Sequence, residues 1–382
     1  MYNLSNFNQA DFLAHYWQQK PAIFRQAFSD FNDPLDEHEL AGLAQDPNID
    51  SRIVALNNDK WQVNHGPFDE FTDHCQGAWS LLVQAVDQHI PAADNLIRAF
   101  NFIPYWRMDD LMVSFSNKGA GVGPHLDQYD VFIVQGKGSR RWQVGAKGEY
   151  PEHFPHDDLR QIKNFTAIID EILQPGDMLY IPPGYPHNGE ALEDCLNYSV
   201  GFRAPSQQEL LTSFADYAID NGLFKQRYKD QALKMRPSPG QINLDEVASV
   251  KNMLKETIDS SEFATWVVEY FSHTQLNQGF DEIHNPDYQL EEIFELFEQK
   301  TVFERQVGIR PVYLELTPED AMLEVFIEGQ SLVIPLKYAE QAKQLLQAPQ
   351  WQLTLDGERD ELPFWGNLLL NLINIGAWLP QE

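Results

Sequence analysis

The sequence predicts an α+β protein, in which an antiparallel β barrel or sandwich is followed by a helical region and a small C-terminal module. Residues 111–202 contain short apolar runs that are separated by turn signals, with no long helical pattern between them. Such runs are typical of antiparallel barrels and sandwiches. After Pro205 the apolar residues recur at helical spacing. With 382 residues, 43% of them hydrophobic, the chain is long enough for about two to three domains.

The N-terminal half begins with a predicted helix over 7–18, where Phe12, Leu13, Tyr16 and Trp17 follow helical spacing. Pro21 ends this helix before a strand at 22–24. Glycine and proline turns at 136–138 and 175–177 separate several of the strands that follow. The apolar runs predict those strands at 111–113, 131–134, 142–144, 168–169, 178–181 and 198–202.

The C-terminal half is predicted to be mainly helical. We expect helices at 210–218, 247–258 and 263–271, and periodicity leaves open whether they cap the barrel or mediate self-association. Further on, a pattern of helix, two strands and two helices indicates a small winged-helix-like module. Its elements are predicted at 291–299, 312–314, 323–326, 338–346 and 364–375. The predicted domains are therefore a barrel domain at 1–205, a helical region at 206–285 and a winged-helix-like C-terminal domain at 286–382.

The charge balance limits the classes of partner. With 57 acidic and 27 basic residues the net charge is −30, which repels nucleic acid and anionic lipid but attracts a basic protein. The winged-helix-like part follows the same trend, because acidic residues outnumber basic ones by 16 to 6 over 291–382. No apolar stretch is long enough to span a membrane, no secretion signal is visible, and the two cysteines lie far apart. We therefore expect a cytoplasmic protein that binds neither membrane nor nucleic acid directly.

Two segments carry a candidate metal site. GAGVGPHLD at 119–127 places His125 and Asp127 two residues apart, where a strand would put both on one face. PGDMLYIPPGYPH at 175–187 is a turn, a buried strand and a proline-rich loop that ends at His187. Two histidines and one carboxylate form a facial triad that leaves metal positions open, as non-haem Fe(II) oxygenases require. Adjacent barrel strands would bring these three side chains together.

For several other residues near the candidate site, a structural role is at least as good an interpretation as a functional one. A second histidine and aspartate pair, His156 and Asp158, lacks a flanking apolar strand and is expected in a solvated loop. The aromatic side chains are expected in the core, which includes Trp142. Tyr129 and Asn197 lie near the candidate ligands in sequence, but satisfying the backbone of the barrel is an equally good explanation for them.

The barrel segment resembles a known family. The HLD motif, the PGDMLYIPPGYPHNG run and LNYSVGFRAP resemble the JmjC/cupin class of Fe(II)- and 2-oxoglutarate-dependent oxygenases. DDLMVSFSNKGAGVGPHLDQYDVFIVQGKGSRRWQVG is similar to the bacterial branch of the ribosomal oxygenases, which hydroxylate an arginine of large-subunit ribosomal protein 16. The resemblance implies a double-stranded β-helix (cupin/jelly-roll, JmjC) barrel. It also implies Fe(II) as the metal cofactor, with 2-oxoglutarate and O2 as cosubstrates. It also implies a basic ribosomal protein as substrate and a homodimer.

The same resemblance assigns roles to individual residues. It places the metal ligands at His125, Asp127 and His187, and the clamp for the distal carboxylate of 2-oxoglutarate at Arg140, with the Ser116 hydroxyl beside it. Strand alternation puts Arg140 and Arg141 on opposite faces without saying which face is the inner one. Two other functions share these features: a JmjC protein demethylase, and a cupin-fold adaptor in which the metal is structural.

Overall fold

The computed structural model describes residues 2–231, 233–273, 288–317, 320–352 and 361–381. They form two compact units, each built from separate parts of the chain. The first contains the described residues of Met1–Ala204, Thr274–Arg310 and Pro349–Glu382, and the second contains Pro205–His273 and Pro311–Ala348. The domain boundary predicted at 285 lies outside the described residues, so the three-part division stays a prediction.

The barrel of the first unit consists of two antiparallel sheets and a hairpin. In chain order the strands are β1 (Ala22–Phe24), β2 (Ser51–Asn57), β3 (Lys60–His65), β4 (Ala78–Val83), β5 (Met108–Ser116), β6 (Asp130–Gln135), β7 (Arg140–Gly145), β8 (Glu152–His156), β9 (Leu159–Ile162), β10 (Ala167–Leu173), β11 (Met178–Ile181), β12 (His187–Ala191) and β13 (Cys195–Phe202). The larger sheet has the order β1-β11-β6-β13-β5-β4-β2-β3, and the smaller has the order β10-β7-β12. β8 pairs with β9 as a separate hairpin. The predicted strands and the predicted barrel are confirmed.

Strand β6 of the larger sheet is buried on both faces. Phe132 and Val134 of β6 belong to the main core, which also holds the helices of this unit. Val131 and Ile133, which alternate with them, pack against Trp142 of the smaller sheet. A strand buried on both sides has no polar face, and this explains the unbroken apolar run at 131–134.

Helices cover the outer face of the larger sheet. They are α1 (Gln9–His15), α2 (Glu37–Leu43) and α3 (Pro91–Ile97). The side chain of Asn8 accepts a hydrogen bond from the backbone of Asp11 and begins α1. The helix is shorter than the predicted 7–18, because the backbone of Trp17 bonds back to Phe12 and Gln18 adopts φ 56°.

The C-terminal part of the first unit is a small helix and sheet module. It contains α7 (Leu290–Glu298), β14 (Phe303–Arg305), β18 (Gln350–Trp351), α9 (Leu362–Asn374) and β19 (Trp378–Pro380). The strands form a sheet in the order β18-β14-β19, and α7 packs against α9. Arg310 lies at the end of the first of the two chain segments in this module. It forms a buried ion pair with Asp87 and donates a 2.7 Å hydrogen bond to the carbonyl oxygen of Asp109.

The second unit combines helices with a three-stranded sheet. Its elements are α4 (Gln207–Asp220), α5 (Leu244–Ile258), α6 (Ser261–Ser272), β15 (Val312–Tyr313), β16 (Met322–Ile327), β17 (Gln330–Pro335) and α8 (Ala339–Gln347). Phe214 of α4 packs on Trp266 of α6, with ring centroids 5.0 Å apart. None of the helices in the described part of the chain is both long and apolar enough to cross a membrane.

Candidate metal centre

The three candidate ligands meet at an isolated antiparallel bridge. His125 donates its backbone N–H to the carbonyl oxygen of His187 at 3.0 Å, and His187 returns the same bond at 2.9 Å. Asp127 lies in the following loop, where its carbonyl oxygen accepts from the backbone of Gly184 at 2.9 Å. The expectation that His125 and Asp127 share a strand is therefore wrong, and the bridge rather than strand alternation brings them together.

The ligand atoms of His125, Asp127 and His187 all lie within 4.8 Å of one another. Nε2 of His187 is 3.5 Å from Oδ2 of Asp127, and Nε2 of His125 is 3.9 Å from the same oxygen. Each histidine places Nδ1 next to a carbonyl oxygen, that of Gly123 at 2.9 Å and that of Tyr185 at 3.1 Å. A carbonyl accepts, so Nδ1 carries the proton and each Nε2 keeps a lone pair for a metal.

Burial favours the ligand form of His187. Burial lowers the pKa of His187 to about 4, and the nearby His125 imidazole acts in the same direction. A neutral imidazole is the form that binds metals. The three side chains therefore fit a divalent transition ion, since they offer two imidazoles and one carboxylate and leave room for further ligands.

The triad opens into a cavity of about 320 Å³ between the two sheets. This volume lies at the small end of the range for small-molecule sites. The lining combines the triad with polar and apolar side chains from both sheets and the hairpin: Arg52, Ser80, Leu82, Gln84, Met112, Ser114, Val122, His125, Leu126, Asp127, Tyr129, Val131, Ile133, Arg140, Trp142, Asp158, Leu159, Arg160, His187, Asn197 and Ser199.

Arg140 is a buried cation that lines this cavity. Its Nη1 donates to Oγ of Ser116 and to Oδ1 of Asn197, both at 3.1 Å, and Nη2 donates to the carbonyl oxygen of Gly189 at 3.2 Å. All three acceptors are neutral, and no carboxylate among the described residues pairs with Arg140. Burial lowers the pKa of Arg140, because it destabilises the charged guanidinium. An anionic ligand would therefore balance the positive charge of this site.

The structure also decides which arginine of β7 faces inward. Arg140 is 4% exposed, whereas Arg141 is exposed and forms a bidentate pair with Asp170 at 2.7 and 2.6 Å. Ser116 is fully buried and also contacts the hydroxyl of Ser80 at 2.7 Å. Arg140 and Ser116 thus lie in contact with each other on the cavity side of the barrel.

Trp142 lies beside Arg140 on the same face of β7. The guanidinium of Arg140 is 5.1 Å from the centroid of the Trp142 rings, which are 6.1 Å from the ring of His187. A Cβ atom at Gly189 would lie 2.7 Å from Nε of Arg140 and 2.8 Å from Cη2 of Trp142. Glycine at 189 therefore gives both side chains the space to lie together.

The hairpin of β8 and β9 contributes a second carboxylate to the cavity, besides that of Asp127. Asp158 lies in its turn and lines the cavity, although 53% of its side chain is exposed. The sequence places this residue in a solvated loop without a flanking apolar strand. That expectation is wrong in part, because β9 follows directly and Leu159 is buried.

Asn197 and Trp142 also line the cavity, although neither is among the site residues that the sequence predicts. A signal for Asn197 exists in the sequence. Asn197 and Ser199 alternate with the apolar Leu196, Tyr198 and Val200 in β13. A polar set on one face of an otherwise apolar strand indicates a polar cavity. Trp142 has no such signal, because an aromatic residue on a strand is most often core.

The fold and the triad together define a JmjC-type oxygenase domain, with a cupin β-sandwich that carries two histidines and an aspartate inside its cavity. In agreement, residues 95–210 match the JmjC domain family. The chain belongs to the ribosomal oxygenases among the JmjC-domain proteins, as comparison over its full length shows.

A relative found by sequence and two solved structures of E. coli YcfD support this assignment. The chain is 42% identical over 375 residues to Ribosomal protein uL16 3-hydroxylase of Escherichia coli (strain K12), with 97% of each chain covered. The X-ray structure of E. coli ycfD has a TM-score of 0.89 at 42% identity and covers 100% of both chains. The structure of the ribosomal oxygenase YcfD from Escherichia coli with cobalt and 2-oxoglutarate has a TM-score of 0.86 at 41% identity, again over 100% of both chains.

Proposed function

We propose that this protein is an Fe(II)- and 2-oxoglutarate-dependent oxygenase that hydroxylates the β-carbon, position 3, of an arginine side chain in large-subunit ribosomal protein uL16. His125, Asp127 and His187 hold the metal, and Arg140 with Ser116 holds the distal carboxylate of 2-oxoglutarate. A relative of 42% identity is a uL16 3-hydroxylase, and a structure of 41% identity contains cobalt and 2-oxoglutarate.

The observation that carries this proposal is the buried charge of Arg140 in the cavity of the triad. The guanidinium has three neutral hydrogen-bond partners and no carboxylate partner in the described chain. A cation buried in this way is unfavourable unless an anion reaches it. A dicarboxylate that binds the metal at one end and Arg140 at the other supplies that anion.

The bound metal, with 2-oxoglutarate and O2, supplies the oxidation of an unactivated C–H bond, while the cosubstrate loses CO2 and becomes succinate. The protein's own residues bind and orient the reactants. Ser116 and Asn197 fix the plane of the Arg140 guanidinium, and a planar fork suits a carboxylate. The apolar part of the lining, which includes Ile133, Leu82 and Trp142, limits the access of water. No general base is required from the chain.

The substrate assignment has independent physical support. The net charge of −30 attracts a basic ribosomal protein over a long range and repels nucleic acid. We therefore propose that the protein acts on uL16 in the cytoplasm without binding nucleic acid directly.

We also propose that the protein is a homodimer that associates through its helical region. α5 has no buried side chain, and Leu244, Val247, Leu254 and Ile258 recur on one face with exposures of 85%, 52%, 61% and 45%. A helix with an apolar stripe normally buries it. Sedimentation velocity over a range of concentrations tests this proposal, and a monomer at every concentration would contradict it.

The decisive experiment is an anaerobically loaded Fe(II) reaction with 2-oxoglutarate, O2 and purified large-subunit ribosomal proteins. Succinate and the intact mass of each protein are measured. We expect succinate together with the gain of one oxygen atom on uL16 alone. The gain should be absent in Asp127→Ala and Arg140→Ala variants that keep their melting temperature.

Other outcomes would favour the two alternative functions. Formaldehyde released from a methylated peptide, without a lasting mass gain on the unmodified protein, would indicate a demethylase. A His187→Ala variant that loses stability, in a protein that forms no succinate with any substrate, would indicate a metal-binding adaptor. Succinate without a mass gain on uL16 would keep the oxygenase chemistry and exclude this substrate.

A further inference from the structure

We infer that Asp158 is a specificity-determining residue, whose carboxylate binds a cationic side chain of the substrate next to the residue that is hydroxylated. This inference rests on the proposed function, because it assumes a basic peptide in the cavity of the triad. It adds a recognition contact to a site that so far contains only metal and cosubstrate contacts.

Asp158 is the free carboxylate of the cavity. Among the described residues that line it, the carboxylates are Asp127 and Asp158, and Asp127 belongs to the triad. An arginine or lysine side chain that enters a partly buried site needs a negative partner to offset the loss of hydration. In the lining as described, only Asp158 can act as this partner without removing a ligand from the metal.

The carboxylate of Asp158 is also available for a new hydrogen bond. Its nearest basic neighbours are Nε2 of His65 at 3.6 Å and Nδ1 of His156 at 3.7 Å, both beyond hydrogen-bonding distance. Nδ1 of His156 accepts the backbone N–H of Asp158 at 3.1 Å, so this nitrogen carries a lone pair and no proton for the carboxylate. Within the described chain the carboxylate accepts no hydrogen bond.

The position of Asp158 is fixed by packing on both sides of the hairpin. Leu159 packs with Val54, Val63 and Leu82 in one buried cluster. On the other side, Nε2 of Gln161 donates to the carbonyl oxygen of Val122 at 2.8 Å. A binding site on a rigid element selects its ligand better than a site on a flexible loop, because less conformational entropy is lost on binding.

The location favours a neighbouring side chain over the target itself. Asp158 is 53% exposed, whereas the side chains of the triad are between 2% and 23% exposed. The target carbon has to reach the triad, and a flanking side chain has to remain at the mouth. Asp158 lies where the second requirement is met.

Two arginines near Asp158 indicate that a substrate cation is attracted by direct contact with this carboxylate rather than by a general negative field. Arg160 and Arg52 also line the cavity. Arg160 is neutralised by an ion pair with Glu152. Arg52 has no carboxylate partner in the described residues, so the mouth has no uniformly negative field. Attraction of a substrate cation therefore depends on direct contact with Asp158.

The test compares Asp158→Asn with Asp157→Asn in the full-length protein. Both substitutions remove one negative charge from the same turn, but Asp157 does not line the cavity. Asparagine keeps the size of the side chain and the backbone N–H. The substrates are a uL16 peptide that contains the target arginine and a set in which each flanking arginine or lysine is replaced by glutamine. The measurements are kcat/KM for each peptide, and the dissociation constant of 2-oxoglutarate by calorimetry.

We expect Asp158→Asn to lower kcat/KM for the parent peptide about fivefold to tenfold, because a charged hydrogen bond at a carboxylate that is 53% exposed contributes less than a buried one. One glutamine peptide should lose as much with the wild-type protein and should be unaffected by Asp158→Asn. Asp157→Asn should change kcat/KM less than about twofold. The dissociation constant of 2-oxoglutarate should stay the same in both variants.

The inference is overturned if Asp158→Asn and Asp157→Asn have equal effects, or if Asp158→Asn weakens every peptide of the set by the same factor. Failure of the proposed function looks different. In that case the wild-type protein hydroxylates no peptide of the set, although it still binds 2-oxoglutarate.

Discussion

Replacing Arg140 by methionine is expected to abolish tight binding of 2-oxoglutarate while the barrel stays folded. A guanidinium has five N–H groups, and three of those in Arg140 donate to Ser116, Asn197 and Gly189. Two remain for a carboxylate. Methionine fills much of the same space without a charge or a donor, so the change removes the anion contact and the three neutral contacts together.

The size of the effect follows from these two free donors. A hydrogen bond to a charged group contributes about 1.5–3 kcal/mol, so the loss of two corresponds to about 3–6 kcal/mol. This predicts a dissociation constant for 2-oxoglutarate that is about 100-fold to 10,000-fold weaker. Arg140→Lys keeps the charge but not the fork, and the expected loss is about 10-fold to 100-fold.

Isothermal titration of 2-oxoglutarate into the anaerobic Fe(II) protein measures these constants directly. Arg141→Met is the matched control, because it removes the neighbouring arginine, which is exposed and paired with Asp170. Its affinity for 2-oxoglutarate should equal that of the wild type. Equal affinities in Arg140→Met and the wild type, or a loss in Arg141→Met instead, would refute the assignment of Arg140 to the anion site.

Three further predictions concern the metal loop, the barrel and the approach of substrate. Gly123→Ala should lower the free energy of unfolding by about 1–3 kcal/mol more than Gly119→Ala in urea titrations, because both have φ near 80° but only Cβ at 123 would lie 2.1 Å from Nε2 of Gln161. Burial, with the charge of Asp87, raises the pKa of Asp110 to about 7. Between pH 3.8 and about pH 7 the Asp110 carboxyl is protonated in the folded state and ionised in the unfolded state. The free energy of unfolding therefore falls as pH rises through this range. Asp110→Asn should therefore raise the melting temperature at about pH 8, and should raise it less at about pH 5. Finally, kcat/KM for full-length uL16 should fall more steeply with salt than kcat/KM for a short uL16 peptide, since the net charge of −30 acts over a long range.

Each of these predictions has an outcome that would contradict it. Equal losses for the alanines at 123 and 119 would mean that the side chain of Gln161 adapts at no cost. A stabilising effect of Asp110→Asn that is the same at both pH values would mean that Asp110 stays ionised in the folded barrel. Equal salt slopes for the protein and the peptide would remove long-range attraction as the reason for the charge.

The barrel strands were predictable because their sequence pattern depends on local geometry. β6 and β11 are buried on both faces, which requires apolar residues throughout, and glycine at 138 and 176 adopts positive φ between strands. These properties can be read from neighbouring residues. The triad was predictable from its context, because a glycine-rich approach, a neighbouring apolar strand and the proline-rich run at 175–187 surround its members.

The physical basis of the triad was harder to predict than its members. The spacing of His125 and Asp127 suggests a shared strand, but the loop at Asp127 is instead tied to Gly184, 57 residues further along the chain. The position of Asp158 likewise depends on the packing of Leu159 against β2, β3 and β4. Contacts between such distant segments leave no periodic pattern in one sequence, so a solvated loop was the better local interpretation.

The hairpin of β8 and β9 limits how this site can acquire a new substrate. Besides the bond from Gln161, the backbone of Ile162 donates to the carbonyl oxygen of Pro124 at 2.9 Å, directly before His125. Insertions or exchanges of the whole hairpin would shift a metal ligand and reduce turnover with any peptide. The turn residues Asp157 and Asp158 are the part that can vary without this effect. Directed evolution toward other peptides is therefore expected to succeed by mutations in the turn and to fail by grafting of hairpins.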